Sequence, residues 1–171
     1  MPIIRLNHAV LYVRDLERSV AFYRDVLGFE TVMTMGGAAA FIQAPGSTND
    51  HDLGLFQIGP GAGPSEAGRR TVGLYHLAWE VDTLAELERL AAALADAGVL
   101  VGASDHSTTK SLYAKDPDGL EFEVAWVVPA DLLDADALAA RERIGPLDLA
   151  REKERYGPDT KGGIGISVPA L

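Results

Sequence analysis

The stretch RLNHAVLYVRDLERSVAFYRDVLG, residues 5–28, decides the fold of the first half of the chain. Its opening residues are apolar on both faces, which predicts a strand that contains His8. Asp15 is placed to cap a helix over the remaining residues, and Gly28 is placed to end that helix. The stretches FETVMTM, AAAFIQA and DLGLFQI then predict three short strands, so this half follows the order β-α-β-β-β.

The same order starts again in the second half. GLYHLAWEV predicts a strand with His76 in its middle, and Thr83 with Glu86 forms a capping box at the start of a helix that ends at Gly98. VLVGAS, SLYAK and LEFEVAWVV predict three further strands, with the hairpin turn DPDG before the last of them. Two similar halves of this kind bury sheet surface that one half alone would leave exposed.

We therefore predict an α+β fold in which two tandem βαβββ modules form a curved mixed sheet around a metal site. Module one covers residues 4–59, a linker rich in glycine and proline covers residues 60–72, and module two covers residues 73–128. Residues 129–171 are predicted to form a helical C-terminal extension, broken near Gly145-Pro146, and a tail.

The composition narrows the classes of partner and cofactor. A formal net charge of -10 disfavours nucleic acid and anionic membranes as partners. The N-terminal residues MPIIRLNHAV lack the pattern of a signal peptide, and no long apolar run follows, so we expect a cytoplasmic protein. Because the chain has no cysteine, a bound metal has to use histidine, aspartate or glutamate side chains.

Three side chains are candidates to hold such a metal. His8 and His76 occupy matching positions in the two halves, and Glu123 lies deep in the last predicted strand, where an unpaired carboxylate is costly to bury. Glu121, nearer the turn, is the better candidate for a rim residue in water. Two histidines with one carboxylate form the facial triad that suits non-haem Fe(II), although Mn(II), Zn(II) or Ni(II) can use the same ligands. The alternative is that both histidines are core residues, each satisfied by a buried hydrogen bond.

The residues HAVLYVRDLERSVAFYRDVLGF, YHLAWEV and LYAKDPDGLEFEVAW together resemble the vicinal oxygen chelate superfamily, over residues 4–127. That superfamily includes glyoxalase I, bleomycin-resistance proteins and the type I extradiol dioxygenases. The resemblance is greatest to the extradiol, catechol 2,3-dioxygenase-like enzymes, and residues 1–128 are then one vicinal oxygen chelate domain.

The resemblance implies roles for individual residues. The metal ligands carry over as His8, His76 and Glu123. The fourth ligand of glyoxalase I falls on Gly54, which has no side chain, so this ligand is missing. His51, three residues before Gly54, matches the acid/base histidine of the extradiol enzymes.

Two further residues are implied to contact the substrate. Tyr113 stands ten residues before Glu123, as the family's substrate-binding tyrosine does, and the alternative is an ordinary aromatic residue of a strand. The family's additional histidine falls on Ser104, and His106 two positions later either replaces it or is a solvated loop residue.

The resulting hypothesis is an Fe(II)-dependent extradiol dioxygenase that cleaves a catechol-like aromatic diol with O2 and forms a homodimer. Two alternatives stay open. One is a glyoxalase-type or epimerase-type lyase or isomerase, whose fourth ligand would come from Asp52, His51 or a partner chain. The other is a metal-free protein that binds a flat, drug-like molecule, as in drug resistance.

Overall fold

The computed structural model describes residues 2–3, 5–68 and 70–163. Its strands are β1 (Ala9–Val13), β2 (Glu30–Met35), β3 (Ala39–Gln43), β4 (Leu53–Gln57), β5 (His76–Glu80), β6 (Leu100–Asp105), β7 (Thr109–Lys115), β8 (Glu121–Val127) and β9 (Gly145–Pro146). Its helices are α1 (Leu16–Leu27), α2 (Leu84–Asp96), α3 (Ala135–Ala140) and α4 (Leu149–Tyr156), with a 3₁₀ turn at Ala130–Leu132. This order confirms the predicted α+β fold with a repeated β-α-β-β-β pattern.

The chain divides into two compact units. Within the described residues, unit 1 consists of the chain up to Glu66 with Asp116–Leu120, and unit 2 consists of Ala67–Lys115 with the chain from Glu121 onward. Unit 1 holds a sheet of order β1-β4-β3-β2, and unit 2 holds a sheet of order β5-β8-β7-β6-β9. In both sheets the first strand of the module is parallel to its fourth, and the other pairs are antiparallel. The two mixed sheets thus share one four-strand topology, and β9 adds a fifth strand to the sheet of unit 2.

Helix α1 begins and ends where the sequence predicts. The Asp15 side chain accepts a hydrogen bond from the Arg18 backbone N–H at 3.0 Å, which satisfies one of the free donors at the helix start. Gly28 ends the helix with φ of +78°, a left-handed conformation that strains any residue with a Cβ atom. Leu16 and Tyr23 on its buried face contribute to the core of unit 1.

Helix α2 of unit 2 also has a side-chain cap at its start and a buried apolar face. The Thr83 side chain accepts a hydrogen bond from the Glu86 backbone N–H, which confirms the predicted N-cap. Four leucines at helical spacing turn to the core, and all are at most 4% exposed: Leu84, Leu87, Leu90 and Leu94. Among the described residues, none of the helices combines the length and the apolar character needed to cross a membrane.

The two first strands start later than predicted, so the placement of both histidines is corrected. His8 lies before β1 and is exposed, and His76 is the first residue of β5 rather than a residue in its middle. In unit 1 the ladder starts at the pair Ala9 and Leu53 because the chain before Leu53 forms a loop. In unit 2 it starts at the pair His76 and Glu121 because β8 begins directly after the turn.

The extension continues the fold of unit 2. The predicted break at Gly145-Pro146 is confirmed, and these two residues form β9, which pairs antiparallel with β6. Helices α3 and α4 lie on either side of it in the sequence. The last part of the predicted tail, residues 164–171, lies outside the described residues.

A buried carboxylate, Asp116, organises the DPDG turn within unit 1. Its Oδ1 accepts hydrogen bonds from the backbone N–H groups of Asp118 and Leu120, both at 2.9 Å, and its Oδ2 accepts one from the Tyr23 hydroxyl at 3.3 Å. Burial raises the pKa of Asp116 despite these bonds, because the charged form is poorly solvated. The ionised carboxylate therefore destabilises the folded state near neutral pH, and this cost disappears as the pH falls below its folded pKa.

The first prediction concerns stability at this turn. Asp116→Asn should unfold at pH 7 with a free energy equal to or above that of the wild type, because the amide can still accept both N–H bonds. Asp116→Ala should lose about 1–3 kcal/mol, since two donors are left without a partner. Urea unfolding at pH 7 and near pH 4 measures both, and any advantage of the asparagine variant should shrink at the lower pH. An asparagine variant as unstable as the alanine variant would contradict this account.

Candidate functional site

Two of the predicted site residues meet at one end of β1 and β4 in unit 1. The rings of His8 and His51 lie 4.6 Å apart between centroids and are tilted by 43°. The Phe41 ring of β3 packs edge-on against His51 at 5.0 Å. Because His8 directly precedes β1 and only Asp52 separates His51 from β4, the parallel pairing of these strands brings the two imidazoles together.

Neighbouring side chains fix the tautomers of both imidazoles. His8 Nδ1 donates to Asn7 Oδ1 at 2.7 Å, and His51 Nδ1 donates to Asp50 Oδ2 at 2.9 Å. These oxygens only accept, so the lone pair of each neutral ring lies on Nε2. His51 Nε2 is buried and has no hydrogen-bond partner among the described residues. Such a nitrogen is available to accept a proton or to bind a metal.

The other two predicted ligands form a pair in unit 2. His76 Nε2 lies 3.0 Å from Glu123 Oε2, and both side chains are largely buried. At this distance the imidazole and the carboxylate are in direct contact. His76 Nδ1 is buried and has no partner in the described part of the chain. Imidazole nitrogen and carboxylate oxygen are the donor types that divalent transition metals bind.

Tyr113 and His106 lie next to this pair. Tyr113 stands opposite Glu123 in the β7–β8 ladder, its ring centroid is 5.9 Å from that of His76, and its hydroxyl is 2.8 Å from His106 Nε2. Burial, and then the charge of Glu123, raises the pKa of the Tyr113 phenol. The phenol therefore stays protonated at neutral pH and can donate a hydrogen bond.

These four side chains line one open cleft of unit 2, with a volume of about 900 Å³. Glu121 lines the same cleft, as its predicted position near the turn suggested. The cleft thus combines an imidazole, a carboxylate and a phenol with room for a small organic molecule.

The strand register supports the equivalence of Gly54 and Glu123. Gly54 pairs with Val10, and Glu123 pairs with Ala78, and each partner stands two residues after the histidine of its module. A Cβ atom at Gly54 would contact Val10 and two aromatic rings at 3.4–3.5 Å, so a longer side chain would have to displace them. Unit 1 therefore offers no carboxylate at this position.

Asp52, the other candidate for a fourth ligand, is engaged in the structure of its own loop. Its carboxylate accepts hydrogen bonds from Ala44 N, Ser47 Oγ and Asn49 Nδ2, each at 2.8 Å, and the residue is 8% exposed. These bonds join the end of β3 to the start of β4. Asp52 thus acts as a loop-organising residue.

The structure brings together His8 with His51, and His76 with Glu123, Tyr113 and His106. No group of three or more His, Asp or Glu side chains close enough to hold a metal occurs among the residues described, so the three-ligand site stays a prediction. Sequence reasoning missed the role of Asn7 and Asp50 as acceptors for the two histidines. The signal was present, because each directly precedes its histidine.

Comparisons with known proteins agree with this architecture. The sequence model of the Glyoxalase/Bleomycin resistance protein/Dioxygenase superfamily matches residues 5–124. Over 121 residues the chain is 36% identical to biphenyl-2,3-diol 1,2-dioxygenase 3 of Rhodococcus globerulus, a match that covers 70% of this chain and 62% of that protein. Over 119 residues it is 34% identical to catechol-2,3-dioxygenase of Bacillus subtilis (strain 168), which covers 70% of this chain and 40% of that protein.

Both matches therefore span less than two thirds of the relative's own length. Among solved structures, lactoylglutathione lyase from Agrobacterium tumefaciens aligns with a TM-score of 0.54 and 25% identity, over 73% of this chain and 95% of that one. The shared fold thus also occurs in a protein named for a different chemistry. Since the family match covers most of the chain and both mixed sheets repeat the expected topology, the chain belongs to the Glyoxalase/Bleomycin resistance protein/Dioxygenase superfamily.

Proposed function

We propose that this protein is an Fe(II)-dependent extradiol dioxygenase that cleaves the ring of a catechol-like aromatic diol with O2. The observation that carries the proposal is the cleft of unit 2, where the His76–Glu123 pair stands beside the Tyr113 hydroxyl. The names of the two similar proteins, both ring-diol dioxygenases, support this choice among the chemistries of the superfamily.

The proposed metal ligands are His8, His76 and Glu123. Their donors are imidazole nitrogen and carboxylate oxygen, which suit Fe(II) and also accept Mn(II), Zn(II) or Ni(II). The bound metal would supply a Lewis acid with open positions for the two oxygens of the diol and for O2. The three protein ligands would leave these positions open because Gly54 has no side chain and Asp52 is committed to its loop.

The remaining residues would transfer protons and orient the substrate. His51 Nε2 carries a lone pair and has no partner, so it would accept the proton of a substrate hydroxyl and later return it. Tyr113 would donate a hydrogen bond to a substrate oxygen, because its phenol stays protonated at neutral pH. His106 Nε2, 2.8 Å from that hydroxyl, would donate its own N–H to the phenol oxygen and so leave the O–H group for the substrate.

A lyase or isomerase remains the alternative that the solved lyase structure favours. Such chemistry would need a fourth ligand, and His51 Nε2 is a candidate because it is buried without a hydrogen-bond partner in the described part of the chain. The two functions therefore assign different roles to His51. A metal-free binding protein would have no use for the His76–Glu123 pair.

The second prediction tests the reaction itself. Protein loaded anaerobically with Fe(II) and then offered catechol and substituted catechols in air should take up one O2 per diol. The coloured ring-cleaved product should be visible by absorbance. The metal-free protein and a Zn(II)-loaded sample are the matched controls and should be inactive, because Zn(II) has no redox chemistry. No oxygen uptake across a broad panel would contradict the proposal.

The small aromatic substrate and O2 are the partners that this function requires. The homodimer and the cytoplasmic location predicted from the sequence stay predictions. Light scattering of the purified protein would measure the oligomeric state.

A further inference from the structure

The C-terminal extension is anchored in unit 2 by a buried ion pair. Glu152 of α4 is 2% exposed, and its Oε2 lies 2.8 Å from the Nζ atom of Lys110 in β7, which is 1% exposed. Lys110 has a second partner, Asp105 Oδ1, at 2.6 Å. Because a buried charge that loses its partner is strongly destabilising, these contacts favour the observed position of α4 on the sheet.

Aromatic and backbone contacts hold the same extension in addition to these charges. The Tyr156 ring of α4 packs against the fully buried Trp126 ring at 5.6 Å, and Trp126 Nε1 donates to the Thr160 carbonyl at 3.2 Å. Further along, the Gly163 N–H donates to the Val127 carbonyl at 3.0 Å. The extension is thus an integral layer of unit 2.

The loop that carries His106 depends on this layer. Ser107 has φ of +67°, a left-handed conformation that costs a residue with a side chain about 1 kcal/mol or more and persists only where neighbours hold it. Asp105 Oδ1 accepts from Ser107 N at 2.7 Å, and Ser107 Oγ donates to the Ala137 carbonyl of α3 at 2.8 Å. The Asp105 carboxylate that bonds to this loop is therefore also the ion-pair partner of the buried Lys110.

The extension also reaches the cleft itself. The β9 residues Gly145 and Pro146 pair with Asp105 and Ser104, immediately before the His106 loop. This pairing places the preceding residue, Ile144, in the lining of the cleft, where it is 71% exposed. Val101 lines the same cleft and is also exposed, so the cleft offers two exposed apolar side chains besides its polar ones.

We propose that the extension forms one wall of the substrate cleft and holds His106 in place. Ile144 is then a specificity-determining residue that contacts an apolar ring substituent of the substrate. Ser107 and Asp105 are positioning residues that act through His106 on the Tyr113 hydroxyl. The ligand class rests on the proposed function, whereas the positioning role rests on the contacts alone.

The wall is tested by Ile144→Ala, with Leu138→Ala as the matched control. Leu138 is an exposed leucine of α3 that does not line the cleft. Isothermal titration of the Fe(II)-loaded protein without oxygen would compare catechol with 3-phenylcatechol. The Ile144 variant should bind 3-phenylcatechol about three- to tenfold more weakly and catechol within about twofold of wild type, because only the substituent reaches the rim. If the Ile144 variant loses affinity equally for both ligands, or for neither, Ile144 does not contact the substituent and the proposed role of the extension in the cleft is wrong.

The positioning role is tested without any ligand. In ¹H–¹³C spectra, Ser107→Ala and Ser107→Gly should shift and broaden the His106 imidazole signals, while those of His51 stay unchanged. The glycine variant removes both the hydroxyl and the side chain that opposes the left-handed backbone, so it separates the hydrogen bond from the strain. Unchanged His106 signals in both variants would overturn this role. If the wild type binds neither diol, the proposed function and the ligand class fail together, and the His106 signals still decide the positioning role.

Discussion

Replacing Glu123 by glutamine should lower the affinity for Fe(II) by at least about 100-fold, more than the usual cost of losing a residue that only orients a ligand. The amide keeps the size of the side chain and can still contact His76, whose Nε2 lies 3.0 Å from Glu123 Oε2. It removes the negative charge and one of the two oxygen donors, both of which strengthen the binding of a divalent ion. Oxygen uptake should fall in proportion to the lost metal.

Glu121→Gln is the control for this variant. Glu121 lies two residues earlier on the same face of β8 and lines the same cleft, so its change removes one charge from the same neighbourhood. The control should keep stoichiometric iron and most of its activity. Metal analysis after gel filtration measures both variants. Full iron retention by Glu123→Gln, or equal losses in the two variants, would refute the role of Glu123 as a ligand.

His51→Ala should keep its iron and lose turnover by about 10²–10⁴-fold, the usual contribution of a positioned acid/base group. The imidazole is oriented by Asp50 on Nδ1, and its Nε2 is buried without a hydrogen-bond partner among the described residues. Substrate binding should change little, because the variant removes a proton acceptor rather than a metal ligand. Steady-state kinetics with parallel metal analysis would separate the two effects.

Asp50→Asn serves as the matched change at the residue whose Oδ2 lies 2.9 Å from His51 Nδ1. The Asp50 side chain is 88% exposed, so its pairing with His51 is screened by water, and the variant should lose less than about tenfold in turnover. If His51→Ala loses its iron instead, His51 is a fourth ligand. The lyase-type alternative would then replace the dioxygenase.

Local patterns were sufficient for the order of the elements. Asp15 and Thr83 cap helices where the sequence predicts because a cap depends on a few consecutive residues. The starts of β1 and β5 were placed too early, since a ladder ends where its partner strand ends, and that partner is distant in the sequence. Periodicity marks an extended segment but does not show how much of it is paired.

In the candidate site, too, some assignments came from the sequence and others required the structure. The resemblance supplied His8, His51, His76, Glu123 and Tyr113 because their spacing is a property of the chain. The sequence left Asp52 open as a ligand, and only its three hydrogen bonds within the folded loop show that it is committed.

The sequence by itself determined the α+β class, the tandem βαβββ order and the residue types that a metal would require. Each of these follows from the composition or from patterns over a few neighbouring residues. Only the tertiary structure decided which nitrogen of His51 is free, that His106 meets Tyr113, and that the extension reaches the cleft through Ile144. The physical reason is that hydrogen bonds, burial and strand pairing join residues far apart in the chain, and those contacts exist only once the chain has folded.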